Sequence, residues 1–261
     1  MKKRYLYFFS TFLVGCGNSS LPIADHLVVT GRIDNAMVQD VAKHVDRVKY
    51  IVITSQGGDT SAALDLARII YDNKINIRVE KYCLSACAQL IIPAANSVEF
   101  SGKPILGLHH SAVSIYDFAK LQKVKINKKR SFKLSNKEIN LFKHMNKKIE
   151  ILTQPIHYLD VLCFFEINGY PAIGSKWAFF IPSPDTYERW AGKEYAGEFA
   201  YQEADVIESI KKYIPKSVSM TLITENDATW KPLNEVPKCP ASQTATFQKH
   251  IVTPPPSAMP Q

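Results

Sequence analysis

Apolar and polar positions along the chain switch between two periods. Residues 27–30 and 50–54 are short apolar runs rich in β-branched side chains, and the second is apolar on both faces, as strands buried within a parallel sheet are. Between them, Met37, Val41, Ala42 and Val45 fall on one face of a helix over about 35–45, with Asn35 as its N-cap. The turn Ser55-Gln56-Gly57-Gly58-Asp59 leads into a helix over 61–72, followed by a strand at 75–79, a helix over 85–95 and a strand at 105–109. Such alternation predicts an α/β fold with a parallel sheet and right-handed crossovers.

The second half is less regular. Residues 154–168 are rich in aromatics and fit a helix or a strand, 177–181 fits a strand, and 185–191 a short helix ending near Gly192. A helix over 203–214 is stopped by Pro215. From Pro237 on there are six prolines in 25 residues and no apolar periodicity, which reads as an extended tail.

Charge divides the chain unevenly. The formal net charge is +8, which makes nucleic acid, anionic membrane and acidic partners the first to weigh. Between Lys120 and Lys148, however, eleven Lys and Arg face one acid, Glu138. The excess is therefore one local basic segment, about 119–150, on an otherwise mildly acidic protein. Its second half carries Ile139, Phe142, Met145 and Ile149 at helical spacing, predicting an amphipathic helix with a basic outer face. The segment lacks aromatic interleaving, so anionic lipid head groups or an acidic protein are better expected partners than nucleic acid.

At the N-terminus, Lys2, Lys3 and Arg4 precede an apolar run from Tyr5 to Gly15, too short to span a bilayer as a mature helix. The run ends in Leu13-Val14-Gly15-Cys16, which resembles the lipobox of bacterial lipoproteins. That resemblance implies a signal peptide over 1–15, lipidation of Cys16, a linker over 16–24, and a protein anchored in the cell envelope facing the periplasm. Gly17 and Asn18 follow with no Asp, which points to the outer membrane rather than the inner.

In an exported protein the other four cysteines, Cys83, Cys87, Cys163 and Cys239, sit in an oxidising compartment. Three connectivities exist, and spacing within about one helical turn favours Cys83 with Cys87, leaving Cys163 with Cys239. A C-x3-C pair with two distant single cysteines suits zinc poorly, and no metal or cofactor is expected.

Three features then supply the parts of a nucleophilic site. Gly57-Gly58 after a buried strand lets a backbone carrying free N–H groups approach a ligand. Ser85 stands at a helix start, where unpaired amides favour developing negative charge. His109 on a later strand could take the serine proton. If that strand continues, neighbouring His110 points to the opposite face. Two other chemistries are open to the same residues: a thiol pair at Cys83 and Cys87, and a Ser–Lys site using Lys137.

The run TGRIDNAMVQDVAKHV, YIVITSQGGDTSAALDLARII, INIRVEKYCLSACAQLIIPAA and GLHHS resembles the proteolytic subunit of Clp protease and its periplasmic relatives, within the crotonase superfamily. The resemblance covers about residues 27–111 and continues weakly over 179–192. It implies a spiral of ββα units over 25–215 with a mostly parallel sheet, the basic segment as a helical insertion, and a C-terminal extension over 216–261. It further implies Ser85 as nucleophile, His109 as base, the amides of Gly58 and Ala86 as the oxyanion hole, and Asp160, 51 residues after His109, as the acid orienting it. The expected activity is that of a lipid-anchored serine hydrolase acting on peptide or protein, with homo-oligomers common among such proteins. The competing expectation is a catalytically inactive envelope lipoprotein of the same fold that serves as a binding or structural component, since the nucleophile loop carries cysteines where the family has glycines.

Overall fold

A parallel sheet forms where the apolar runs meet. The structure, a computed structural model, describes residues 24–121, 128–159, 163–167, 170–174, 178–214 and 220–239. The leader, Cys16 and nearly all of the linker after it, Asp160 and the tail beyond 239 lie outside these residues.

In chain order, β1 (Ala24–Thr30) leads to α1 (Asn35–His44), β2 (Val48–Ser55), α2 (Thr60–Asp72) and β3 (Asn76–Leu84). A π-helical turn (Cys87–Ile91) and the short α3 (Ile92–Ala94) precede β4 (Val98–Phe100) and β5 (Ile105–Gly107). The paired helices α4 (Ala112–Leu121) and α5 (Lys128–His144) and the short α6 (Glu150–Thr153) come next. The chain goes on through β6 (Cys163–Ile167), β7 (Tyr170–Gly174), β8 (Ala178–Ile181), α7 (Pro184–Ala191), β9 (Ala196–Gly197), α8 (Glu203–Tyr213) and β10 (Thr221–Thr224).

The main sheet runs in the order β1-β2-β3-β4-β9, with β5 also on β3, and every pairing in it is parallel. The protein is thus a mixed α/β fold with a mostly parallel sheet. Strand β3 is long enough to serve two neighbours: Ile77–Val79 pair with β4 and Tyr82–Leu84 with β5. That fork carries the C-terminal ends of β2, β3 and β5 to one edge. Ile51, Ile53, Ile70, Ile77 and Val79 are at most 2% exposed, and burying each such side chain contributes about 2 kcal/mol.

Several local expectations are corrected. Asp34, not Asn35, caps α1, its carboxylate accepting from the Met37 amide at 3.0 Å; Asp59 caps α2 in the same way through Ala62. The helix expected over 85–95 starts later and is irregular, because β3 runs on to Leu84 and Pro93 has no N–H to continue a regular ladder. The strand expected over 105–109 stops at Gly107, and Leu108 turns to bridge Phe180 of β8 antiparallel. Residues 154–168 are mostly neither one helix nor one strand: a 3-10 turn (Pro155–Tyr158) precedes β6, which forms a hairpin with β7. The helix over 185–191 does end at Gly192, in the left-handed region at φ 58°.

The basic segment folds back on the domain through α5, which pairs with α4. Phe142 and Met145 enter the core, with Ile139 and Ile149 packed against it. Glu138, the lone acid between Lys120 and Lys148, is only 2% exposed and accepts from the amides of Ala112 and Val113 at 3.2 and 2.8 Å, closing the N-terminus of α4.

Candidate active site

Ser85 stands where β3 ends, with φ at +58°, a left-handed conformation that costs a non-glycine residue on the order of 1 kcal/mol. Two backbone bonds hold it there. Its amide donates to Gly107 of β5 at 2.8 Å, and its carbonyl accepts from the Gln89 amide at 2.9 Å. The outcome is a sharp strand-to-helix turn of the kind that lifts a nucleophile clear of its sheet.

Cys83 and Cys87 flank this turn two residues to either side and are joined in a disulfide, their Cα atoms 5.3 Å apart. A second disulfide joins Cys163 to Cys239. Both sulfurs beside Ser85 are thereby taken up, and both cysteines are fully buried.

His109 reaches Ser85 from the end of β5: its Nε2 and the Ser85 Oγ are in hydrogen-bond contact. The buried Gln89 side chain donates to the His109 carbonyl at 2.8 Å and to the Ile151 carbonyl at 3.2 Å, pinning the backbone. Phe179 packs edge-on to the imidazole with centroids 5.5 Å apart. Burial first, and His110 second, push the His109 pKa well below the usual histidine value.

His110 is not on the far face. Because the strand has ended, alternation no longer applies, and the His110 ring lies 4.3 Å from that of His109, centroid to centroid, at 80°. Their Nδ1 atoms are 3.3 Å apart. Burial lowers the His110 pKa to about 4.

The two glycines do different things. Gly57, at φ +85°, abuts Ser85. Gly58 bridges Ile33 through bonds made by its neighbours, the Ile33 amide to the Gly57 carbonyl and the Asp59 amide to the Ile33 carbonyl, both 2.9 Å. Because a trans peptide sets N–H opposite C=O, Gly58's own amide is directed away from Ile33. Ala86 follows Ser85 directly into the π-helical turn.

Sequence reasoning singled out Ser85, His109, Gly58 and Ala86, and the structure brings Ser85 and His109 into contact. It missed Gln89, named Gly57 only as half of the glycine pair, and set His110 on the opposite face. Lys137 is elsewhere: its Nζ donates to Ser61 Oγ at 3.2 Å on the exposed side of α5. The expected acid Asp160 lies outside the described residues.

No family model matches the chain, and no curated protein matches it in sequence. Among solved structures it is similar to a ClpP1 variant from Listeria monocytogenes, at 19% identity and a TM-score of 0.34, over 49% of this chain and 76% of that one.

Proposed function

We propose that the protein is a serine hydrolase acting on peptides, with Ser85 as nucleophile and His109 as its base. The observation that carries this reading is the contact between Ser85 Oγ and His109 Nε2 at a turn whose backbone is held in the left-handed region. A neutral His109 accepts the Ser85 proton as Oγ attacks a carbonyl carbon, then returns it to the leaving amine. The amides of Gly58 and Ala86 would receive the charge that develops on the carbonyl oxygen.

Separation of Ser85 from His109 would have favoured the inactive-component reading, and the two are in contact. Envelope anchoring through Cys16 is part of the proposal and rests on the sequence alone.

Labelling with a fluorophosphonate probe tests the chemistry. The wild-type chain is expected to label and Ser85→Ala and His109→Ala to label at background; a folded wild-type chain that never labels overturns the reading. Incorporation of labelled palmitate, lost in Cys16→Ser, tests the anchor.

A further inference from the structure

We infer that His110 takes the place at His109 Nδ1 that a carboxylate holds in most serine hydrolases, making a Ser85–His109–His110 relay with a neutral third member. The inference rests on the hydrolase reading above and adds a positioning residue to it.

Proton counting leads there. For His109 Nε2 to accept from Ser85, the ring's single proton must sit on Nδ1. That Nδ1–H needs an acceptor, and the nitrogen facing it is His110 Nδ1 at 3.3 Å, a long hydrogen bond. His110 then carries its own proton on Nε2. A protonated His110 would set N–H against N–H, so the pair works only with His110 neutral, and burial keeps it so near neutral pH. In the attack the Ser85 proton moves to His109 Nε2, the serine oxygen forms the bond to carbon, and the carbonyl electron pair goes to oxygen. His110 gains no proton; its lone pair steadies the imidazolium.

The backbone around the pair leaves it little choice. On one side, Leu108 and Phe180 exchange two hydrogen bonds, at 2.9 and 2.7 Å. On the other, Ser111 donates its amide to Ser114 Oγ at 2.8 Å, and Glu138 holds the next two amides. The dipeptide is strung between two fixed points, with Gln89 tying its middle. Two adjacent side chains that would diverge on a strand are thereby turned toward one another. A neutral acceptor stabilises an imidazolium less than a carboxylate does, so the relay is a weaker one.

Three variants of the full chain and two readouts test this. His110→Phe keeps an aromatic ring and removes the acceptor; His110→Asn keeps an acceptor; Asp160→Asn removes the acid expected from the sequence. Fluorophosphonate labelling is expected to slow by about tenfold or more in His110→Phe and to be largely restored in His110→Asn. Nitrogen NMR of the imidazoles is expected to find the His109 proton on Nδ1 in the wild type and shared between both nitrogens in His110→Phe. Wild-type labelling speed in His110→Phe, or an unchanged His109 tautomer there, overturns the inference, as does loss of labelling confined to Asp160→Asn. If the wild type does not label, the hydrolase reading falls, and the NMR alone decides whether His110 holds the His109 proton in place.

Discussion

Gly57 leaves room for Ser85 that no other residue would: a Cβ added at position 57 would stand 2.6 Å from Ser85 Cβ and 2.9 Å from its Oγ. No side chain fits there without moving the serine, and the φ of +85° disfavours one anyway. Gly57→Ala is therefore expected to abolish fluorophosphonate labelling and to lower stability by about 1–3 kcal/mol. Gly31→Ala is the control. Its φ is +95° but nothing lies within 4 Å of the added methyl, so it should destabilise modestly and leave labelling intact. Labelling rates with thermal melts of the three proteins check this.

The two disulfides should separate activity from stability. Cys83–Cys87 spans four residues of sequence and Cys163–Cys239 spans 76. Loop-closure entropy gives the short bridge about 2 kcal/mol and the long one about 4.5 kcal/mol. Only the short one clasps the turn that carries Ser85. The double variant Cys83→Ala/Cys87→Ala should thus slow labelling strongly with a moderate loss in the denaturant midpoint. Cys163→Ala/Cys239→Ala should do the reverse, and equal effects on labelling would sink the distinction.

Acid should be slow to switch the site off. His109 is held well below the usual histidine pKa, chiefly by burial, so its base form persists as the pH drops through 6.5. Labelling is expected to stay level from pH 8 to below pH 6.5 and to fall only in more acid buffer. A midpoint at 6.5 would show that the imidazole is solvated like a free one.

Glu138 imposes a stability slope of its own. Burial pushes its pKa up to about 7 against the bonds from Val113, Ala112 and Ser111. Between the unfolded carboxyl value near 4.5 and about 7, the folded chain binds more protons than the unfolded one. Stability from this group is therefore present at low pH and is lost as the pH rises through that window, on the order of 3 kcal/mol in all. The half-buried His109 and His110 slope the other way, since below pH 6.5 the unfolded chain takes up protons that they refuse. The change in urea midpoint from pH 5 to pH 7.5 should be more favourable in Glu138→Gln than in the wild type, and identical changes would remove Glu138 as a source of the slope.

Much of this was legible in local pattern. The β-branched run at 50–54 reads as a buried strand, and Ile51–Ser55 are all buried. Gly192, placed at a helix end by composition, adopts the left-handed cap that glycine favours. Short strands left no such trace: β4 and β9 have three and two residues, too few for a period to register. The irregular helix start after Ser85 was hidden because the apolar residues from Ala86 onward look the same in an α-helix and in a π-helical turn.

By itself the sequence determined the alternation of strands and helices, the cysteines around Ser85, and the order Gly-Gly, Ser, His along the chain. These follow from side-chain chemistry and from spacing within one element. Tertiary structure alone decided which residues meet: Gly57 on Ser85, Gln89 beneath His109, and His110 beside it. Those contacts depend on where strands stop. β5 ends two residues before His109, and that removes the alternation that would have sent His110 to the other face.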